Sequence, residues 1–385
     1  MQKSLSFKVN RTAAITYFVM VVVFASIKML LHFGMLDLLG SVGKEILGAG
    51  IQVVLLFALA VGSMSLFSKK KPLEVFRFYG YKKISWKGIV IAFIMGIVVY
   101  VLNVYIAAFF NNFLAAVGYN FGQVKKPITY PVWMLLVNLL LTAVLPAVCE
   151  ETVHRGMLLN GMGAAKSRSK TIILTSILFG LLHCNITQFF YATLIGLLLG
   201  YISSVIENIY PAIIIHFTNN ALSVFMGFSR FHNLGADMLF SYTDTFMQNN
   251  FVLGLLFIVA LCGLLLFLLK FLTQTLFKKT VLTQLHGLNN KVLIAMEKHD
   301  YIQDLDSIKQ TGEEFSPTQM EDYVRFKTLF YTFGKEYGFT SQMKTQIGQE
   351  EVVEKDKVAS AFYITSFIIL SALTIFSFVW NVLGV

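Results

Sequence analysis

Long apolar stretches separated by short polar connectors dominate the chain, and their lengths set its elements. Runs able to cross a bilayer as a helix, about 17 to 25 residues, fall at 13–32, 47–67, 89–110, 131–157, 171–186, 188–206, 210–228, 250–270 and 358–383. The pattern predicts nine transmembrane helices, and no strand-like alternation competes with them. The fourth, fifth and seventh runs are shorter or more polar than the rest, as helices that bury polar groups should be. The first run begins only after Arg11 and has no small-residue cleavage site near its end, so it reads as a retained span rather than a signal peptide.

Composition agrees with that pattern. Of 385 residues, 56% are apolar and 14% charged, against about 25% charged in a soluble domain. The expected fold is an all-α polytopic membrane bundle of about nine helices, with a small cytosolic helical domain before the last span. Lys and Arg are distributed unequally between the two sides. Lys3, Lys8, Arg11, Lys69, Lys70, Lys71, Arg77, Lys82, Lys83, Lys87, Lys166, Arg168 and Lys170 fall on one side, and Lys44, Lys125, Lys126 and Arg230 on the other. Thirteen against four puts residues 1–12 in the cytosol and the C-terminus outside. The plasma membrane is the expected location. The net charge of +10 then belongs to basic loops on an anionic leaflet, and nothing arranges these residues for nucleic acid. Cys149, Cys184 and Cys262 lie inside apolar spans without ligand spacing, which argues against a disulfide framework.

The chain divides into N-terminal spans (13–130), a central group of spans (131–228), a loop and eighth span (229–270), a charged helical region (271–357) and a final span (358–385). In the charged region, Ser316-Pro317-Thr318-Gln319 has the form of a helix start, with a second helix expected over 281–297. No chemical motif lies there, and it reads as a linker domain, with regulation or substrate docking as the alternative. The sixth span carries Ala192, Gly196, Gly200 and Ser204 at intervals of four, a stripe suited to close helix packing.

Ionisable residues at membrane depth cluster in the middle of the chain: Glu150, Glu151, His154 and Arg155 in the fourth span, His183 in the fifth, His216 in the seventh. A charge at that depth costs on the order of 3 kcal/mol and persists where it faces protein or water. Glu150, His183 and Asn220 each lie about 15 to 18 Å from the presumed cytosolic ends of their helices. His216 is one turn from Asn220 on the same face. Consecutive glutamates point about 100° apart around a helix, so the two cannot share one role. Glu151 and Arg155 are spaced i, i+4 and should form an ion pair, which leaves Glu150 as the free carboxylate, with His183 placed to share its proton. Pro146 should kink the helix beside it. The sequence has no His-Glu-x-x-His, no Gly-x-Ser-Gly and no Asp in the core of a span, so the candidate base is a glutamate.

Three motifs resemble those of the CPBP intramembrane proteases, the CaaX protease and bacteriocin-processing or Abi family. They are Glu150-Glu151-Thr152-Val153-His154-Arg155, Phe179-Gly180-Leu181-Leu182-His183 and His216-Phe217-Thr218-Asn219-Asn220. The resemblance implies a glutamic endopeptidase in which Glu150 and His183 activate water while His216 and Asn220 stabilise the oxyanion. Glu151, Arg155 and Phe179 would support them. It implies no metal or other cofactor, and a peptide or membrane-associated protein as substrate: a prenylated C-terminus, a pheromone or bacteriocin leader, or a membrane segment. Two other readings stand beside it. In one, Glu150, Glu151, His183 and His216 form a zinc site of a metalloprotease; in the other, the protein is a non-catalytic scaffold or bacteriocin self-immunity protein. A transporter ranks last, because no inverted repeat is present.

Overall fold

The structure is a computed structural model and describes residues 2–121, 130–163, 168–236, 238, 240, 251–280 and 356–383. The helix start expected at 316–319 and the helix expected over 281–297 lie outside the described residues. Every regular element described is helical. Among the described residues, eight helices are long and apolar enough to cross a membrane. In chain order they are Lys8–His32, Asp37–Ser68, Trp86–Ala116, Val132–Met162, Ile186–Ile206, Tyr210–His232, Val259–Leu276 and Lys357–Leu383. The shorter apolar helix Ser169–Leu182 completes the nine runs read from the sequence, as the fifth span. The helix holding the eighth span runs Phe251–Thr280, so the boundary drawn at 270 falls inside it.

Local chemistry sets several ends. Ser85 caps the third span by accepting from the Gly88 N–H at 3.2 Å, and Asn185 caps the sixth by accepting from the Thr187 N–H at 2.8 Å. Pro72 opens the short helix Pro72–Phe78, where its missing N–H costs nothing.

The first and ninth spans run parallel and are clamped at both ends. Arg11 Nε donates to both carboxylate oxygens of the buried Asp356, at 3.1 and 3.0 Å, while His32 meets the Trp380 ring edge-on at 4.7 Å. Parallel packing places the starts of both spans at the same face of the bundle. The fifth and sixth spans pack along the small-residue stripe, close enough that a Cβ on Gly196 would lie 3.2 Å from the Ser176 Cα. The third and seventh approach as closely, since a Cβ on Gly96 would lie 2.4 Å from the Thr218 Cβ. Without a hydrophobic drive between helices in lipid, such backbone approach is what van der Waals packing requires.

The spans that carry polar residues are not regular α-helices. The second contains a π-helical segment, Ile51–Ala58. The fourth contains two, Leu139–Val144 and Thr152–Leu158, on either side of the α-helical Leu145–Glu151. Segments of this kind shift side chains around the helix axis and concentrate at functional sites. One of these π segments ends two residues before Pro146, where the sequence predicts a kink.

Candidate active site

Glu150 and Glu151 end the α-helical stretch between the two π segments, and their neighbours divide them. Glu151 is fully buried. Its Oε1 accepts from Arg155 Nη1 at 2.9 Å, the pair expected from the i, i+4 spacing, and also from His216 Nδ1 at 2.9 Å. Arg155 Nη2 donates to the Gly196 carbonyl at 3.0 Å, so the stripe on the sixth span holds the guanidinium as well as packing the helices. A buried carboxylate met by a guanidinium and an imidazole is neutralised and fixed in place.

Glu150 is also buried, at 9% exposure, but no cation bonds to it among the described residues. Its Oε1 accepts from Gln52 Nε2 at 3.0 Å. The expectation of a carboxylate with no partner is corrected on this point: the partner is a neutral amide in the second span, 98 residues away in sequence. A lone glutamine within the apolar run 47–67 was the available signal. One neutral hydrogen bond orients this carboxyl, where its neighbour is held by an ion pair.

His183 is corrected in position as well. The sequence predicts a fifth span reaching 186, but that helix, Arg168–Leu182, ends just before His183, and Cys184 adopts a left-handed φ of 49°. Fifteen residues rise about 22 Å, short of a bilayer core of about 30 Å. A turn at that depth is tolerated where it is enclosed by protein or lines a wet cavity. His183 Nδ1 donates to the Phe179 carbonyl at 3.0 Å, which leaves Nε2 as the unprotonated nitrogen of the neutral ring. The ring lies within electrostatic reach of Glu150, His216 and Lys28.

Phe179 is the hub. Its ring takes His154, His183 and His216 edge-on at centroid distances of 5.0, 5.4 and 5.8 Å, and the Arg155 guanidinium sits 4.6 Å over its face. Three imidazoles from three spans are thus spaced around one ring, with the cation on the electron-rich face. His154 Nδ1 donates to the Glu150 carbonyl at 2.8 Å.

Asn220 is half-buried, and its amide is oriented from both ends. Nδ2 donates to the Thr142 carbonyl at 3.1 Å, a group that the ring nitrogen of Pro146, four residues on, cannot bond. Oδ1 accepts from Asn219 Nδ2 at 2.9 Å, and Asn219 Oδ1 accepts in turn from Asn103 Nδ2 at 3.4 Å. This leaves Asn220 one amide hydrogen to offer elsewhere. Asn103, Asn219 and Gln52 are the contributors that reading the sequence missed.

Among the buried polar atoms without a partner in the described residues are Gln52 Oε1, Glu151 Oε2 and His154 Nε2. All three belong to residues bonded to Glu150 or adjacent to it, a concentration that marks a site for a ligand or water rather than a finished core. Outside the spans, the Tyr81 hydroxyl meets Thr152 Oγ1 at 2.6 Å. Burial pushes this phenol up to about 12, against the opposing pull of the Thr152 bond, so it stays protonated at neutral pH. No group of three His, Cys, Asp or Glu side chains among the described residues is arranged to hold a metal ion.

Fold and site together define an integral membrane helical bundle with a glutamate–histidine cluster inside it. Residues 131–222, which contain all three motifs, match the family model for type II CAAX prenyl endopeptidases of the Rce1-like kind. Over this segment the chain is similar to that family, whose general activity is proteolysis. Comparison with curated proteins and with solved structures found no match.

Proposed function

We propose that this protein is an intramembrane endopeptidase of the glutamic type. The observation that carries the reading is the contrast at 150 and 151: one buried carboxyl is held by Arg155 and His216, while its neighbour is met by the neutral Gln52 amide, with His183 within electrostatic reach. In the proposed reaction, Glu150 takes a proton from a water held jointly with His183 Nε2, and the resulting hydroxide adds to the scissile carbonyl. His216 Nε2 and the remaining amide hydrogen of Asn220 donate to the oxyanion. Because His216 Nδ1 is committed to Glu151, Nε2 donates only when the ring carries both protons. As the intermediate collapses, the proton on Glu150 passes to the departing amine.

The family match favours a substrate carrying a prenylated C-terminal motif, with a peptide leader as the alternative. The basic loops orient the protein with its N-terminus in the cytosol and its C-terminus outside. Comparing the membrane proteomes of cells carrying wild-type protein and Glu150→Gln tests the reading directly. Substrates that accumulate uncleaved only in the variant support it, and identical proteomes reject it in favour of a scaffold or immunity role. A zinc-dependent reaction is separated by chelation. Activity retained in chelator supports direct activation of water by Glu150, whereas loss that zinc restores supports the metalloprotease.

A further inference from the structure

A second polar cavity lies apart from the Glu150 cluster, with a volume of about 410 Å³. It is formed where four connectors and helix ends meet: the segment after the second span, the end of the fourth, the start of the fifth and the turn between the sixth and seventh. Arg77, Lys82, Arg155, Ser203 and Glu207 are among the residues that line it. Its composition is unusual for a membrane bundle, with three cations against one acid.

The charges are not equivalent. Arg155 is neutralised by Glu151 at 2.9 Å, and Lys82 lies 3.7 Å from Glu207. Arg77 is exposed and has no carboxylate partner among the described residues, so it is the surplus cation. Ser203 supplies an independent observation. It is 7% exposed, lines the cavity, and its Oγ has no hydrogen-bond partner in the described residues. A buried hydroxyl without a partner costs about 1 to 3 kcal/mol, which a ligand oxygen would remove. The segment after the second span also carries Lys69, Lys70, Lys71, Lys83 and Lys87, so the cavity opens beside a basic connector.

We infer that this cavity binds a phosphate group, held by the Arg77 guanidinium and the Ser203 hydroxyl. A guanidinium fork matches phosphate oxygens, and a hydroxyl donor completes the set. The position at the bundle face admits two sources, an anionic phospholipid headgroup or free phosphate. Arg155 forms part of the cavity wall while its other edge holds Glu151, so an anion here would sit one residue from the carboxylate pair. The inference does not depend on the hydrolytic reading, and its test uses no turnover.

The full-length protein is reconstituted in nanodiscs of phosphatidylcholine alone, in discs with a fifth of the lipid replaced by phosphatidic acid, and in phosphatidylcholine discs with added inorganic phosphate. Melting temperature and retained lipid by native mass spectrometry are read in each. Wild type should melt higher with phosphatidic acid, in the manner of any ligand that binds only the folded state. Apparent affinity should fall about tenfold in Arg77→Gln and about fivefold in Ser203→Ala, the sizes of one charge-assisted and one neutral hydrogen bond. Lys87→Gln, which removes an exposed cation stacked on Trp86, should change nothing. The same pattern with inorganic phosphate alone would identify the free anion as the ligand. A gain that survives both cavity variants, a gain equally reduced by Lys87→Gln, or no gain from either source would overturn the assignment.

Discussion

Two regions meet at consecutive residues of the fourth span, and they handle buried charge in opposite ways. Around Glu151, charge is matched by charge: a guanidinium and an imidazole converge on one oxygen, and the Phe179 ring closes over them. Around the Glu150 carboxyl, the only hydrogen-bonding side chain among the described residues is the Gln52 amide, with His183 within electrostatic reach. Under the proposed mechanism, this difference is what keeps a reactive acid at depth. The neighbouring residue carries the compensated ion pair that fixes the helices, which leaves the acid beside it free of that duty.

The sharpest way to break the comparison is Glu150→Gln, which keeps shape and removes the base. Cleavage of a prenylated reporter peptide should fall about 10⁴-fold, the upper range for a lost general base, while the melting temperature stays near wild type. A comparable loss of stability would show that Glu150 is structural and erase the contrast. Arg155→Met attacks the other side by leaving Glu151 buried without its guanidinium. A loss of about 3 to 5 kcal/mol is expected from such one-sided removal, measured by denaturation in detergent. The double variant Glu151→Leu/Arg155→Met should recover much of that stability without recovering activity.

Asn220→Ala tests the oxyanion assignment and should lower kcat about 10²-fold to 10³-fold with little change in KM, as for loss of one preorganised donor. A change in KM alone would move Asn220 from the reacting carbonyl to substrate binding. Gln52→Leu removes the neutral partner of Glu150 and should cost about tenfold in kcat, because one orienting hydrogen bond is worth roughly 1 kcal/mol. KM and melting temperature should stay near wild type, a split that a purely structural role would not give. Tyr81→Phe is the smallest step: losing the bond to Thr152 should cost at most about 1 kcal/mol of stability and leave turnover intact.

What the sequence made legible follows the range of its rules. Spans follow from hydropathy over about twenty residues, and all nine apolar runs correspond to helices. The Glu151–Arg155 bond follows from a spacing of four on one helix, and the packing of the fifth and sixth spans from small residues at the same spacing. The partners of each carboxylate across the bundle did not follow. Gln52 reaches Glu150 from the second span and His216 reaches Glu151 from the seventh, and each depends on the rotation of one helix against another. The π segments set that rotation in the second and fourth spans, and hydropathy carries no trace of them. The sequence places His183 on a helix when it belongs to the turn after it: the helix stops at Leu182, Cys184 turns left-handed and Asn185 caps the next helix.

Pro146 acts through an omission. With no hydrogen on its nitrogen, it leaves the Thr142 oxygen available, and the seventh span inserts the Asn220 amide there. Restoring that hydrogen with Pro146→Ala would regularise the fourth span and at the same time introduce a rival for the oxygen. The more regular helix would then hold its neighbour less firmly, and a substitution that helps the isolated segment would unfasten the assembled pair.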